Sequence, residues 1–375
     1  MPESFGIGLL CTTRSLGGIE LNVLRFARWM RERGHRCTVI GSVDAPLLAH
    51  ARAEGLPSLA LASPRKFGDL ASARAIAETM RRERLDILQL NSTQDLNLGV
   101  LARMVSKNTL RLVHTQHMQF GAKKTDLLHR LQHARLEAWV APLPWLAEQT
   151  GVFTTIPADR IHIIPFGIDL SVFERRPSPE EARRQFGLPA DGTVVGVVGR
   201  LDRGKGQEYL LRAAARLRDE GRRLHILLVG EDTRGEVQGY GDELRRLADE
   251  LAIDDQVTFS GFHEQVTMAY AAMDCFVLTS LSETYGMVTI EAMAAGLPII
   301  GTNTAGTPEI LAGDSGMLLP PRDPAALAEA LERLLRDPQE MKALGNRARR
   351  AALARFSHHT QCRRYEELFM QFQTP

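Results

Sequence analysis

Short apolar runs alternate with stretches whose apolar residues recur at helical spacing, and this alternation continues along most of the chain. The first run, Phe5 to Cys11 (FGIGLLC), reads as a buried strand. A small polar loop, Thr12 to Gly18, follows it. After the loop Ile19, Val23, Phe26, Ala27 and Met30 fall on one helical face while arginines take the other. Further runs predict strands over 36–41, 85–90, 110–115 and 137–142, and a strand and turn over 160–169; the spacing over 70–82 predicts a helix. The second half repeats the pattern, with strands over 193–199, 224–230, 256–260 and 272–279 and helices over 207–220, 323–336 and 356–372. Strand and helix in turn argue parallel sheets with helices on both faces. In such sheets ligands collect beyond the carboxyl ends of the strands. Residues 171–190 are rich in Pro, Glu and Arg and have the composition of a linker with one short helix. The expected domains are therefore 1–170 and 191–355, with 356–375 as a final helix.

The most informative stretch is Ser280 to Pro298, SLSETYGMVTIEAMAAGLP. It follows a buried strand. Gly286 breaks the apolar pattern, a helix begins at Met287, and Gly296 and Pro298 stop it. The free N–H groups and positive dipole end of such a helix suit a phosphate, here at Met287 and Val288. Glu283 lies in the loop, which also holds Tyr285, and Glu291 lies in the helix, with no cation beside either in sequence. Carboxylates beside a phosphate cradle make sense as acceptors for hydroxyls of the same ligand, and a nucleotide sugar carries both groups. The plain alternative is a surface helix with two solvated acids.

Two other turns carry chemistry. In GRLDRGKG, Arg200 and Lys205 stand five apart across an open turn and can bring two cations to one diphosphate. The order G-x4-G-K-[ST] is absent, so this is no P-loop. Gly17-Gly18 stands at the entrance of the first helix, where glycines allow a close backbone approach. GxGxxG is absent. His114 and His117 flank a predicted strand exit, and Phe262-His263 follows another.

Composition adds bounds. The 375-residue chain has a net charge of +1, which gives no global argument for nucleic acid. Locally, Arg25, Arg28, Arg31, Arg33 and Arg36 crowd one helix and its exit, and Lys123, Lys124 and Arg130 crowd a loop. Solvated helix faces are the plain reading; a basic face meeting an anionic membrane or a phosphorylated acceptor is the sharper one. Cys11, Cys37, Cys275 and Cys362 have no metal-ligand spacing and read as reduced core residues. No segment has the length of a transmembrane span or the pattern of a signal peptide, so the expected location is cytoplasmic.

SETYGMVTIEAMAAGLPII resembles the E-x7-E segment of retaining, nucleotide-sugar-dependent glycosyltransferases of family 4, which have the GT-B fold. GGIE resembles the family's phosphate-facing first loop, and HTQH (His114 to His117) matches its T-x-H site through His117. GRLDRGKG matches its diphosphate-binding turn, and IIPFGID matches the segment closing its first domain. Two positions depart from the pattern. Asn91 stands where many relatives have histidine, and Phe166 where asparagine is common. The resemblance implies an α/β architecture of two Rossmann-like domains facing across a cleft, the last helix crossing back to the first.

It also implies roles. Arg200 and Lys205 stabilise the leaving diphosphate, aided by the amides near Met287 and Val288. Glu291 accepts from ribose hydroxyls, Glu283 from the sugar, and His117 positions the sugar. The base passes near Phe262 and His263. No metal is called for, no cofactor beyond the nucleotide sugar donor (UDP or GDP type), and retention is implied by the family alone. The acceptor is a glycan, a lipid-linked molecule or a small molecule, with synthesis of bacterial cell-surface glycans as the leaning. The competing readings are a nucleotide-sugar 2-epimerase of the same fold and a non-catalytic binding module.

Overall fold

A computed structural model describes residues 4–65, 68–175, 177–232, 239–263 and 265–372. The chain divides into two compact units, Met1–Phe166 with His358–Pro375, and Gly167–Ser357. Each is built on its own parallel sheet.

Among the described residues the first unit has seven strands: β1 (Gly6–Leu10), β2 (Arg36–Ser42), β3 (Ser58–Leu61), β4 (Ile87–Leu90), β5 (Arg111–Thr115), β6 (Ala138–Ala141) and β7 (Ile161–Ile163). They lie in the order β3-β2-β1-β4-β5-β6-β7. Every pairing is parallel, with Ile7 opposite both Cys37 and Ile87. Ile7, Leu9, Val39 and Val113 face one helix layer, while Leu10, Ile40, Leu88 and Leu112 face the other. Side chains alternate across a strand, so a sheet covered on both faces needs continuous apolar runs. The helix His358–Met370 completes this unit. Its Cys362, Tyr365, Leu368 and Phe369 join the core made by Phe5, Phe26 and Trp29. Tyr365 Oη bonds Thr115 Oγ1 at 2.9 Å, and Glu366 accepts from Arg33 Nη2 at 2.6 Å.

The second unit has six strands among the described residues: β8 (Thr193–Val198), β9 (Leu224–Val229), β10 (Val257–Gly261), β11 (Cys275–Leu278), β12 (Ile299–Thr302) and β13 (Met317–Leu319). They lie in the order β10-β9-β8-β11-β12-β13, all parallel. The helices Gln207–Asp219 and Pro324–Arg336 pack together on one face through Leu210, Leu217, Leu327 and Leu331.

The stretch 171–190, expected as a linker, is instead packed against the second unit. Phe173, Ala182, Phe186 and Leu188 are buried. Arg183 Nη2 donates to Asp274 Oδ2 at 2.6 Å. Glu174, Arg175, Glu180, Glu181 and Arg184, which give the segment much of its linker composition, are exposed around these four anchors.

In both sheets the chain leaves a central strand in opposite directions, between β1 and β4 and between β8 and β11. Connections diverge at such a point, which leaves a crevice beyond the strand ends. The loops after β1, β4, β8 and β11 hold most of the residues singled out from the sequence.

Candidate active site

The switch point of the second unit is formed by two loops hydrogen-bonded to each other. Thr279 Oγ1 donates to the Lys205 carbonyl at 2.8 Å, and the Leu281 N–H donates to the Gly204 carbonyl at 2.8 Å. Gly206 joins the first loop to its helix with φ +65, and a Cβ there would stand 2.4 Å from the Thr279 carbonyl oxygen. Only glycine lets the two turns come this close.

The contact brings together two residues 78 positions apart. Lys205 Nζ donates to Glu283 Oε2 at 2.5 Å, with both side chains mostly buried. The acid without a cation beside it in sequence has one in space. Ser280 Oγ lies 3.4 Å from the same oxygen, and the Glu283 carbonyl accepts from the Gly306 N–H at 2.9 Å. Arg200 lies at the end of β8 with an exposed side chain. Its carbonyl is held at 2.8 Å by the amide of Gln207, a fully buried residue.

Three residues beyond Glu283 the chain turns at Gly286, φ +77, into the helix Met287–Ala294. Thr289 and Ile290 donate to the Gly286 carbonyl. The Met287 and Val288 amides precede the first helical hydrogen bond and face outward from the helix end. Glu291 is nearly buried on this helix. Its Oε2 accepts from Tyr270 Oη at 3.0 Å, and the same phenol lies 3.1 Å from the Val288 carbonyl. Tyr285 differs from its neighbours in the loop. Its ring is 5% exposed and packs edge-on against Phe356, so its side chain acts in packing. At the end of β10, Phe262 is 71% exposed, whereas His263 turns back to bond the Ser260 carbonyl at 3.0 Å and meets Phe186 edge-on.

In the first unit Gly17 caps the helix Gly18–Glu32. Glycine has no side chain to offer, so only half of a capping box forms: Glu20 Oε2 accepts the Gly17 N–H at 2.8 Å. The other oxygen of Glu20 accepts from Thr13 Oγ1. Beside it Asp95, at the end of the loop after β4, accepts from the Thr12 N–H at 3.3 Å and from the Thr12 hydroxyl. Two buried acids thus hold the loop after β1 in place.

Burial raises Asp95 to about 6, against the lowering effect of its bonds to Thr12. A raised carboxyl stabilises the fold most while protonated, below its unfolded value near 4. That contribution is lost as pH rises through 6. Wild type is expected to lose on the order of 2–3 kcal/mol from this group between pH 4 and 7, and Asp95→Asn to lack that part of the slope. Urea unfolding of both proteins across this range checks it; parallel curves would refute it.

His117 follows β5. Its Nε2 lies 3.4 Å from Asn91 Oδ1, and its ring stacks on Phe166 at 4.8 Å and 15°. The Asn91 amide donates to the Leu10 carbonyl at 3.2 Å, which leaves Oδ1 as the acceptor. His117 therefore carries its proton on Nε2 and presents Nδ1 as a lone pair. Burial pushes its pKa down to about 3, so the ring is neutral. The two positions that depart from the family pattern, Asn91 and Phe166, thus both touch the same imidazole. Gln116 locks the turn between His114 and His117 by accepting from Trp139 Nε1 at 3.0 Å and Thr150 Oγ1 at 2.9 Å. His114 itself is buried against Trp139. A cavity of this unit opens nearby, lined by Thr93, Gln94, Asn97, Lys124 and Gln132 among others.

Among the described residues no three His, Cys, Asp or Glu side chains gather as a metal site. All four cysteines are free and buried.

The profile of the family described as "Glycosyl transferases group 1" matches residues 178–351, and that of "Glycosyltransferase Family 4" matches residues 16–172. A D-inositol 3-phosphate glycosyltransferase of Mycolicibacterium smegmatis is 31% identical over 367 residues, which span 87% of this chain and 80% of that one. The chain belongs to the family 4 glycosyltransferases. A D-inositol 3-phosphate glycosyltransferase 1 of Catenulispora acidiphila is 37% identical over 193 residues; this match spans 50% of the chain and less than half, 46%, of that relative.

Solved structures agree on the GT-B fold of this family 4 member. A glycosyltransferase from Rickettsia africae superposes with a TM-score of 0.90 at 19% identity, covering 99% of this chain and all of that one. Anabaena HepE in complex with UDP and glucose gives 0.82 at 24% identity, covering 98% and 99%.

Several residues around the family motifs escaped sequence reading. Gln116, Tyr270 and Gln207 each hold a motif residue or its backbone, yet each is a single polar residue near an apolar run. Asp95 stands four residues after Asn91 and carries no motif of its own.

Proposed function

We propose that this glycosyltransferase moves a hexose-type sugar from a nucleoside diphosphate sugar to a hydroxylated acceptor, with retention and without a metal ion. One observation carries the reading: Lys205 and Glu283 meet at the switch point of the second sheet, beside a helix that presents its first amides. In this reading the diphosphate draws on Lys205, Arg200 and the Met287 and Val288 amides. Charge grows on its leaving oxygen as the glycosidic bond breaks, and fixed cations and dipoles stabilise that charge without reorganising. Glu283, released from part of its pairing, accepts a sugar hydroxyl, and Glu291 accepts from the ribose. The neutral His117 offers a lone pair to a sugar hydroxyl. The leaving diphosphate takes the acceptor's proton.

Anabaena HepE has been solved in complex with UDP and with UDP-glucose, which makes UDP-glucose the first donor to test. For the acceptor, the similarity to D-inositol 3-phosphate glycosyltransferases puts D-inositol 3-phosphate first, ahead of glycan and lipid-linked alcohols. Thermal melts against nucleotides and nucleotide sugars, with and without EDTA, test the donor half. The expected result is stabilisation by one nucleotide series that EDTA does not change. At a hundred times the Kd the gain is about 2.7 kcal/mol. No shift with any nucleotide would sink the reading.

A further inference from the structure

A hydroxyl taken out of water without a hydrogen bond costs free energy, so buried polar groups are nearly always paired. Thr289, the third residue of the helix Met287–Ala294, is not. It is 1% exposed, and among the described residues its Oγ1 has no hydrogen-bond partner. A threonine inside a helix commonly satisfies its hydroxyl on a carbonyl one turn back. Here the Gly286 carbonyl already takes the N–H groups of Thr289 at 2.9 Å and Ile290 at 3.3 Å. A Cβ on Gly286 would stand 3.3 Å from Thr289 Oγ1 and 3.1 Å from Glu283 Cγ. The hydroxyl and the stem of the acid thus flank one point of the turn, which glycine leaves open.

The fold alone gives no reason for this hydroxyl. Valine has the same branched shape and would bury no unpaired group. Glu283 supplies a reason. Lys205 Nζ at 2.5 Å and Ser280 Oγ at 3.4 Å both approach its Oε2. In the transfer reading, on which this inference rests, the diphosphate draws Lys205 away. A mostly buried carboxylate is then left with one long hydrogen bond, and it needs another donor. We propose that Thr289 is a positioning residue for Glu283. When Lys205 turns to the diphosphate, the Thr289 hydroxyl donates to the carboxylate and holds it in place for the sugar. The unpaired hydroxyl of the ligand-free protein is a donor kept in reserve for that state.

The first test needs no ligand, because Lys205→Ala also takes the cation from Glu283. Thr289→Val removes the hydroxyl and keeps the shape. In the otherwise wild-type chain it is expected to leave the melting temperature unchanged or to raise it by about 1–3 °C. In Lys205→Ala the same change is expected to lower it by about 2–4 °C. A threonine that only packs would not reverse sign, so equal effects in the two backgrounds would overturn the proposal. The second test compares UDP with UDP-glucose by thermal shift and titration. Thr289→Val is expected to bind UDP as the wild type does and UDP-glucose about tenfold more weakly, with Thr289→Ser restoring the difference. Wild-type affinity of Thr289→Val for UDP-glucose would refute the positioning role and leave the transfer reading standing. Absence of stabilisation by any nucleotide in the wild type would remove both.

Discussion

Replacing Lys205 by alanine is expected to remove most nucleotide-dependent thermal stabilisation and to lower kcat about 10²–10³-fold, the scale seen when one charge-stabilising donor is lost. The effect on stability has a separate origin. Glu283 is 14% exposed and loses its 2.5 Å partner, which leaves a carboxylate in a low-dielectric site. About 1–3 kcal/mol of folding free energy is expected to go with it. Glu283→Gln breaks the same pair from the other side and should behave differently. Lys205 keeps its charge, so the bare nucleotide diphosphate should still stabilise the protein. The additional stabilisation given by the sugar of a nucleotide sugar should vanish, and kcat should fall as in Lys205→Ala. Melts with the nucleotide and with its sugar ester, on both variants, separate the two roles. Equal losses for both ligands in both variants would mean that the pair is structural.

Gly206→Ala is expected to be the most damaging single-methyl change at the site. The added carbon would stand 2.4 Å from the Thr279 carbonyl oxygen at a residue with φ +65. Backbone at that distance cannot yield as a flexible side chain can. The loop after β8 must move, and with it the bonds from Thr279 and Leu281. A loss of about 2–4 kcal/mol follows from clash and left-handed strain together. Because Lys205 is the preceding residue, its ammonium shifts away from Glu283, and nucleotide binding should weaken even well below the melting temperature. Gly18→Ala is the control. Nothing lies within 4 Å of a Cβ there, so that substitution should leave stability unchanged or slightly higher. Two similar melting curves would contradict the steric account.

The motifs were legible because each is local. The loop and helix of 280–298 show in the apolar pattern alone, and Met287–Ala294 is a helix ended by Gly296 with φ +72. The pairing of Lys205 with Glu283 was not legible, since it depends on two loops brought together by strands β8 and β11. Three strands were missed for physical reasons. Ser58–Leu61 and Met317–Leu319 are sheet edges, short and half-exposed, and Ile299–Thr302 (IIGT) carries only two large apolar residues directly after the Gly-Leu-Pro that ends a helix. The helix Pro338–Arg355 was missed because it packs through small residues. Gly345, where a Cβ would stand 2.3 Å from the Gly296 carbonyl, together with Ala348 and Ala352, carries almost no hydrophobic signal. The 171–190 segment misled by composition, since four buried side chains decide its place against many polar ones. Asn91 and Phe166 were visible as departures from a pattern, but their shared contact with His117 needed coordinates.

The helix His358–Met370 bears on how the protein is made. Its Cys362, Tyr365 and Phe369 are core residues of the first unit, which begins with the first strand of the chain. On the ribosome the second unit, continuous in sequence, has all its residues before this helix is translated. The unit synthesised first is thus the one whose core closes last. Until residues 358–372 emerge, the nascent chain carries an unfilled groove along Phe5, Phe26 and Trp29, a surface for which chaperones have affinity.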